Sequence, residues 1–418
     1  MSTEFEQNLE KYVDVILKVG LNLQKGQRLL IRSKGFGTPL LELAPFVELV
    51  TKKAYQMGAK FVEVLWNDPQ LNLIRFQHAP RDSFEEFSKW RTNATLEFAE
   101  KGDATLTLYA DIPDLFVDQD PKLMAIMRKT FLKHFKPVFD IRSKKNTNYC
   151  MVTAPVDGWT DKIFPDLSPD KRKTKMWNAI FDICRVKQKD PVSAWQDHIN
   201  QLVVRSNYLN QKQYTTLKLE APGTDLTIGL PKGHIWKSGS MTSQNGIDFT
   251  ANIPTEEICT LPHKDKTEGV VTATKPLPVE VVIEDFSLTF SKGRVVKATA
   301  KKGEKMLHKL LEIDENMSRL GEIALVPHSS PISQSGILFY NTLIDENASC
   351  HLALGMGYRF CMKNGEKMSD EEFMTVGGNV SLGHIDFMIG SGEMNIDGIT
   401  EDKMSEPIMR KGEWAFKV

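Results

Sequence analysis

The residues with the most chemistry in them stand in the second half of the chain, inside apolar runs. SLGHIDFMIG sets His384 and Asp386 two positions apart among apolar neighbours. In an extended strand, residues i and i+2 project to the same side. An imidazole nitrogen and a carboxylate oxygen would then face one point, with Ile385 and Phe387 facing away. Both are good donors for Zn²⁺, Co²⁺ or Mn²⁺. Burying them in so apolar a strand is costly unless something compensates, and a cation would. GEIALVP adds Glu322, NASCHLALG adds His351, and IPTEEICT adds Glu256 and Glu257. Each alone has a plainer reading. Asp386 can pair with His384 or an arginine, His351 can be a satisfied core histidine, and Glu322 can open an exposed strand. Glu256 and Glu257 can start a helix capped by Thr255. As a set, two histidines and at least three carboxylates supply what a two-metal site needs, a bridging carboxylate and terminal ligands.

Regular elements must position these groups. The first half alternates helix and strand. Phe5, Leu9, Tyr12, Val13, Ile16 and Leu17 share a helical face, and GQRLLIRS (26–33) reads as a strand. A helix over 45–58 closed by Gly58 and a strand over 59–66 complete a β-α-β unit, expected to be right-handed and parallel. A helix over 83–102, a strand over 103–111, a helix over 122–135 and a strand over 149–158 continue the pattern. A helix over 190–211 precedes a change of character. TTLKLEA, TDLTIGL and VEVVIEDFSLTF then alternate with period two, Ser291-Lys292-Gly293 reads as a turn, and a helix spans 304–320. The expectation is an α/β fold: an N-terminal parallel-sheet α/β domain over 1–210, then a β-rich α+β domain over 211–418 that carries the metal site.

Other chemistries find less support. GFG in SKGFGTP (33–39) is not a dinucleotide fingerprint, and no phosphate-binding P-loop occurs. Ser329, Ser330 and Ser335 lack a G-x-S-x-G elbow. His78, His134 and His198 stand apart in polar contexts and receive no role. With 53 basic and 54 acidic residues, net charge −1, nothing points to nucleic acid or an anionic membrane. The start lacks a basic and then apolar leader, and no apolar run reaches the length of a membrane span, so a cytoplasmic protein is expected. Five cysteines without a CxxC pair fit a reducing compartment.

Four segments in order, NIPTEEICTLPHKDKTEGVVTATKPL (252–277), GEIALVPHSSPIS (321–333), ILFYNTLIDENASCHLALGMGY (337–358) and GNVSLGHIDFMIGS (378–391), closely resemble the M29-type thermophilic aminopeptidase family, the group of aminopeptidases T and S. The resemblance extends over the whole chain, with its specific motifs in the second half. It implies five metal ligands, which fall on Glu256, Glu322, His351, His384 and Asp386, with Glu322 bridging two divalent ions (Zn, Co or Mn). It also implies a role for Tyr358, seven residues after His351. A homodimer and peptide substrates with a free N-terminus follow from the same resemblance. His263 departs from the family pattern, and Cys259 and Cys350 flank ligand segments.

In such a site a carboxylate accepts the proton of the attacking water, and Glu257 is the candidate if Glu256 is a ligand; the two can exchange roles. The Tyr358 phenol is neutral at pH 7 and can donate to an oxyanion. The alternatives are another dinuclear hydrolase, a phosphoesterase or amidohydrolase, and a binding protein that has kept the fold. The first lacks its usual D-x-H or H-x-H runs, and the second would be expected to have lost ligands.

Overall fold

A computed structural model of the protein describes residues 3–144, 147–279 and 281–418. They gather into two compact units. One comprises residues up to Leu123 with His134–Asn200 and Gly239–Thr255; the other comprises Met124–Lys133, Gln201–Ser238 and Glu256–Val418.

The first unit is built on four strands, β1 (Arg28–Ser33), β2 (Phe61–Leu65), β3 (Ala104–Leu108) and β4 (Tyr149–Val152). All pair in parallel, in the order β2-β1-β3-β4. Parallel neighbours need long crossovers. Helices Ala44–Gln56, Trp90–Glu100 and Pro121–Ser143 lie in them. Covered on both faces, β1 and β3 bury nearly every residue, as their apolar runs require. Leu30 and Leu65 pack against Phe98 of the second of these helices. The expected helix over 83–102 forms in two pieces, a short 3₁₀ turn Arg81–Glu85 and the helix Trp90–Glu100. The break has its cause in a side chain of the preceding helix, Gln70–His78. The Arg75 guanidinium takes the carbonyls of Ser83 and Glu86, at 2.6 and 3.4 Å, which a continuous helix would have used.

The second unit is β-rich. Val282–Ser291 and Arg294–Lys302 form the expected hairpin about Lys292 (φ 48°) and Gly293 (φ 77°). Both turn residues are left-handed, which matches the twist of the flanking strands. Glu280, within the expected strand VEVVIEDFSLTF, lies outside the described residues. The helix expected over 304–320 stops at Leu311. Beyond it, Asp314 draws the chain out of helix by accepting the N–H groups of Asn316 and Leu382, at 2.8 and 2.6 Å.

The predicted site residues lie on or beside a five-stranded antiparallel sheet. Its strands are β5 (Lys237–Ser238), β6 (Ile258–Thr260), β7 (Leu320–Leu325), β8 (His351–Gly355) and β9 (His384–Met388), in the order β9-β8-β7-β6-β5.

Candidate metal centre

Register decides which residues meet. Asp386 on β9 stands opposite Ala353 on β8, and Ala353 opposite Glu322 on β7. In the next row His351 opposes Met388 and Ala324, and Ala324 opposes Cys259. His384 opposes Gly355. Side chains alternate between faces. His384, Asp386, His351 and Glu322 therefore share one face with small residues, Ala353, Gly355 and Ala324. Ile385, Phe387, Leu352, Leu354 and Ile323 fill the other face, which explains why the motifs read as polar groups in apolar strands.

A bulge aims Glu322. The pairing of β7 with β8 shifts between Leu320 and Glu322, with Gly321 as the extra residue. Without it, Leu320 and Glu322 would face the same way; with it, Leu320 turns to the apolar side and Glu322 to the site. A Cβ at position 321 would lie 2.4 Å from the carbonyl oxygens of Gly355 and Met356, so only glycine fits.

The imidazoles are oriented by backbone carbonyls. His384 Nδ1 lies 2.7 Å from the Met356 carbonyl oxygen, and His351 Nδ1 lies 3.2 Å from that of Ser349. A carbonyl can only accept, so Nδ1 carries hydrogen in both and Nε2 faces the carboxylates. His351 Nε2 is 3.0 Å from Glu257 Oε2. His384 Nε2 is 3.2 Å from Glu322 Oε2 and 3.1 Å from Asp386 Oδ1. Fixing a ligand histidine through its other nitrogen is the common arrangement at metal sites. Two groups of donors result, Glu257–Glu322–His351 and Glu322–His384–Asp386, each with its atoms within 4.8 Å of one another. Glu322 belongs to both.

The electrostatics call for positive charge. Burial lifts the Glu257 carboxyl above its usual range, and Glu322 and Asp386 add to the lift against the pull of His351. Burial alone would lower both imidazoles. The hydrogen bond and charge of Glu257 instead raise His351 to about 10, and Asp386 and Glu322 raise His384 well above its ordinary value. So concentrated a negative charge is what a bound cation would answer. Oxygen and imidazole donors about 3 Å apart fit a divalent ion with bonds of about 2.1 Å.

The description of thermophilic metalloproteases (M29) matches residues 5–414. The chain belongs to the M29 metalloprotease family. It is 45% identical to "Aminopeptidase 2" of Geobacillus stearothermophilus, covering 99% of each chain, and 43% identical to "Aminopeptidase AmpS" of Bacillus subtilis (strain 168), with the same coverage. Among solved structures it is similar to wild-type AmpT from Thermus thermophilus, with a TM-score of 0.89 at 35% identity, covering 99% of this chain and 100% of that one. The α/β fold expected from the sequence is borne out by this likeness: a parallel-sheet N-terminal region and a β-rich C-terminal region. So is the expected reaction class, a hydrolase of peptides that depends on metal.

Of the residues singled out in this M29 chain, Glu322, His351, His384 and Asp386 come together. The neighbouring glutamates behave differently. Glu257 joins the donors, whereas Glu256, 4% exposed, is not in either donor group. Its backbone N–H donates to Asn347 Oδ1 at 2.7 Å. The ring of Tyr358 lies 4.6 Å from that of His384 and stacks on Phe360 at 4.9 Å. His263 packs in a loop against Gly377, with Nδ1 accepting from the N–H of Asp265 at 3.2 Å. All five cysteines are buried and unbridged. Cys259 faces the site, yet its thiol is held well above its usual range by a hydrogen bond with Cys361 and by burial, so it stays protonated. Sequence reasoning missed Asn347, Ser349 and Met356. Two of these act through backbone carbonyls, which leave no mark in a sequence; only the proximity of Asn347 to His351 hinted at its part.

Proposed function

We propose that this protein is a dinuclear metallo-aminopeptidase with Glu257, Glu322, His351, His384 and Asp386 as ligands and Glu322 shared between two ions. The observation that carries the reading is the membership of Glu322 in both donor groups. The separations of His351 from Glu257 and of His384 from Glu322 and Asp386 favour Glu257 over Glu256 as the fifth ligand. Divalent ions in such a site bring a water towards ionisation near neutral pH and polarise the scissile carbonyl.

The chain's own groups do the rest. Glu256, the adjacent carboxylate outside both donor groups, accepts the proton of the attacking water in this reading and passes it to the leaving amine. Tyr358, held against His384, donates its phenol hydrogen to the developing oxyanion. The carbonyls of Ser349 and Met356 keep the imidazoles in the tautomer that presents Nε2. The donor set suits Zn²⁺, Co²⁺ or Mn²⁺ alike. The substrates are peptides with a free N-terminus, and residues 211–418 form the catalytic half. A homodimer in the cytoplasm is part of this reading; the five unbridged cysteines support the compartment, and light scattering on purified protein tests the dimer.

The decisive experiment takes chelator-treated, dialysed protein, restores Zn²⁺, Co²⁺ or Mn²⁺, and follows a leucyl chromogenic amide beside a phosphate ester. Metal-restored hydrolysis of the amide alone, with two ions bound per chain, is expected. Activity on the ester alone would mean another dinuclear hydrolase. Glu257→Gln should lose bound metal, while Glu256→Gln should keep it and lose turnover; the reverse pattern would return Glu256 to the ligand set.

A further inference from the structure

The parallel sheet of the first unit holds a second charged cluster, of the opposite sign. Arg32, the penultimate residue of β1, is 8% exposed. Its guanidinium lies over the ring of Phe135, 4.6 Å from the centroid. Among the described residues it makes no hydrogen bond and no ion pair. Register brings two more arginines beside it. Arg32 stands opposite Thr107 on β3, and Arg142 Nη2 donates to Thr107 Oγ1 at 3.1 Å. On the other flank Arg32 stands opposite Leu65 on β2, and Arg91 Nη2 donates to the carbonyl of the next residue, Trp66, at 2.7 Å. Aromatic rings back all three cations: Arg91 lies 4.6 Å from the Trp90 centroid and Arg142 4.7 Å from that of Tyr149. Glu63, a carboxylate on the same face, stands opposite Leu30, one row back, and its Oε1 accepts from the N–H of Val64 at 3.2 Å.

A buried guanidinium without an acceptor is costly, and two neighbours of like charge add to the cost. Burial, with the charges of Arg142 and Arg91, lowers Arg32 to about 9, the response of a cation lacking its counter-ion. The location is also telling. Arg32 and Thr107 lie near the carboxyl ends of β1 and β3, the pair at which the strand order reverses direction. Open parallel sheets bind ligands outside the carboxyl ends of their strands at that point.

We propose that Arg32, Arg91 and Arg142 form a binding site for a small dianionic oxyanion, a phosphoryl group or a dicarboxylate, separate in its residues from the metal centre. Planar guanidinium forks suit such oxygens.

The test is calorimetric titration of the metal-loaded protein with inorganic phosphate and with succinate, at fixed ionic strength. Saturable binding of at least one is expected, weakened about tenfold or more in Arg32→Met, with leucyl-amide hydrolysis unchanged. Tighter phosphate marks a phosphoryl site, and tighter succinate a carboxylate site. Anions can also bind metal ions, so Glu322→Gln is titrated in parallel. Binding that survives Arg32→Met but disappears in Glu322→Gln belongs to the metal centre and overturns the proposal, as does the absence of saturable binding. Should Arg32→Met fail to fold by circular dichroism, Arg91→Gln, at a half-exposed helix start, replaces it with the same expected loss.

Discussion

The five-stranded sheet and the parallel sheet both bury like charges, but they manage them differently. In the antiparallel sheet, Glu257, Glu322 and Asp386 crowd around two imidazoles that are steered by carbonyls and answer the negative charge directly. In the parallel sheet, Arg32 has an aromatic ring beneath it and two more cations alongside. The first cluster is a set of donors with both imidazoles aimed by carbonyls; the second is a set of cations whose central member finds no acceptor among the described residues. The contrast teaches that buried charge is informative by what surrounds it. Aimed partners with excess charge of one sign point to a resident ion, and an unanswered cation points to a ligand that comes and goes.

The largest expected effect sits where the two donor groups meet. Glu322→Gln should lower kcat/KM for a leucyl amide by about a thousandfold or more, because one substitution disturbs both groups. Steady-state kinetics on protein shown to be folded checks this, and near-normal activity would break the reading of Glu322 as the shared residue. Next comes Tyr358→Phe, which removes a donor and leaves the ring against His384. A fall in kcat of about a hundredfold with little change in KM is expected; a change in KM alone would make Tyr358 a substrate-binding residue.

A third buried charge sharpens the comparison, since backbone groups answer it. Asp345 is fully buried and accepts the N–H groups of Phe339 and Asn341, both at 3.0 Å. Burial outweighs these bonds and raises its carboxyl to about 6. The folded protein thus holds this proton more tightly than the unfolded chain. The associated stability is complete below about pH 4 and is lost as pH rises through about 6, on the order of 2–3 kcal/mol in all. Asp345→Asn cannot ionise, so the wild-type advantage over it in denaturant titrations should narrow from pH 4 to pH 7. A constant difference would mean that the carboxyl titrates normally. The smallest effect is expected at Arg32. In phosphate-free buffer Arg32→Met should change stability by no more than about 1 kcal/mol, or raise it, because an unpaired buried cation gives way to an apolar chain of similar length. A clear fall in melting temperature would make the contact with Phe135 structural.

Much of this was readable from residues alone. The two-residue spacing of His384 and Asp386 needed only the period of a strand, and the apolar residues between and beside them marked the opposite face. The α/β alternation of the first half followed from periodicity, because buried parallel strands must be apolar. The rest depended on what no local pattern carries. Glu256 and Glu257 are adjacent and chemically alike, and only backbone geometry separates them. The bulge at Gly321 changes which face Glu322 takes, and a glycine before a glutamate does not announce it. Arg32, Arg91 and Arg142 are far apart in the chain and become neighbours only through the register of β2, β1 and β3. The helix break after Glu85 depends on the reach of Arg75, a tertiary effect.

Ala353 stands between Asp386 and Glu322 in the central row of the site. A larger side chain there would push apart the two carboxylates it separates. Leu352 and Leu354, its immediate neighbours, face the apolar layer, where Ile, Val or Met can take their place with modest loss. Along one five-residue strand two regimes therefore alternate residue by residue: exchange among aliphatics at Leu352 and Leu354, and fixed identity at His351, Ala353 and Gly355, a ligand and the small residues that leave room for its partners. Drift can remodel the scaffold beneath this centre while leaving the spacing of its carboxylates untouched.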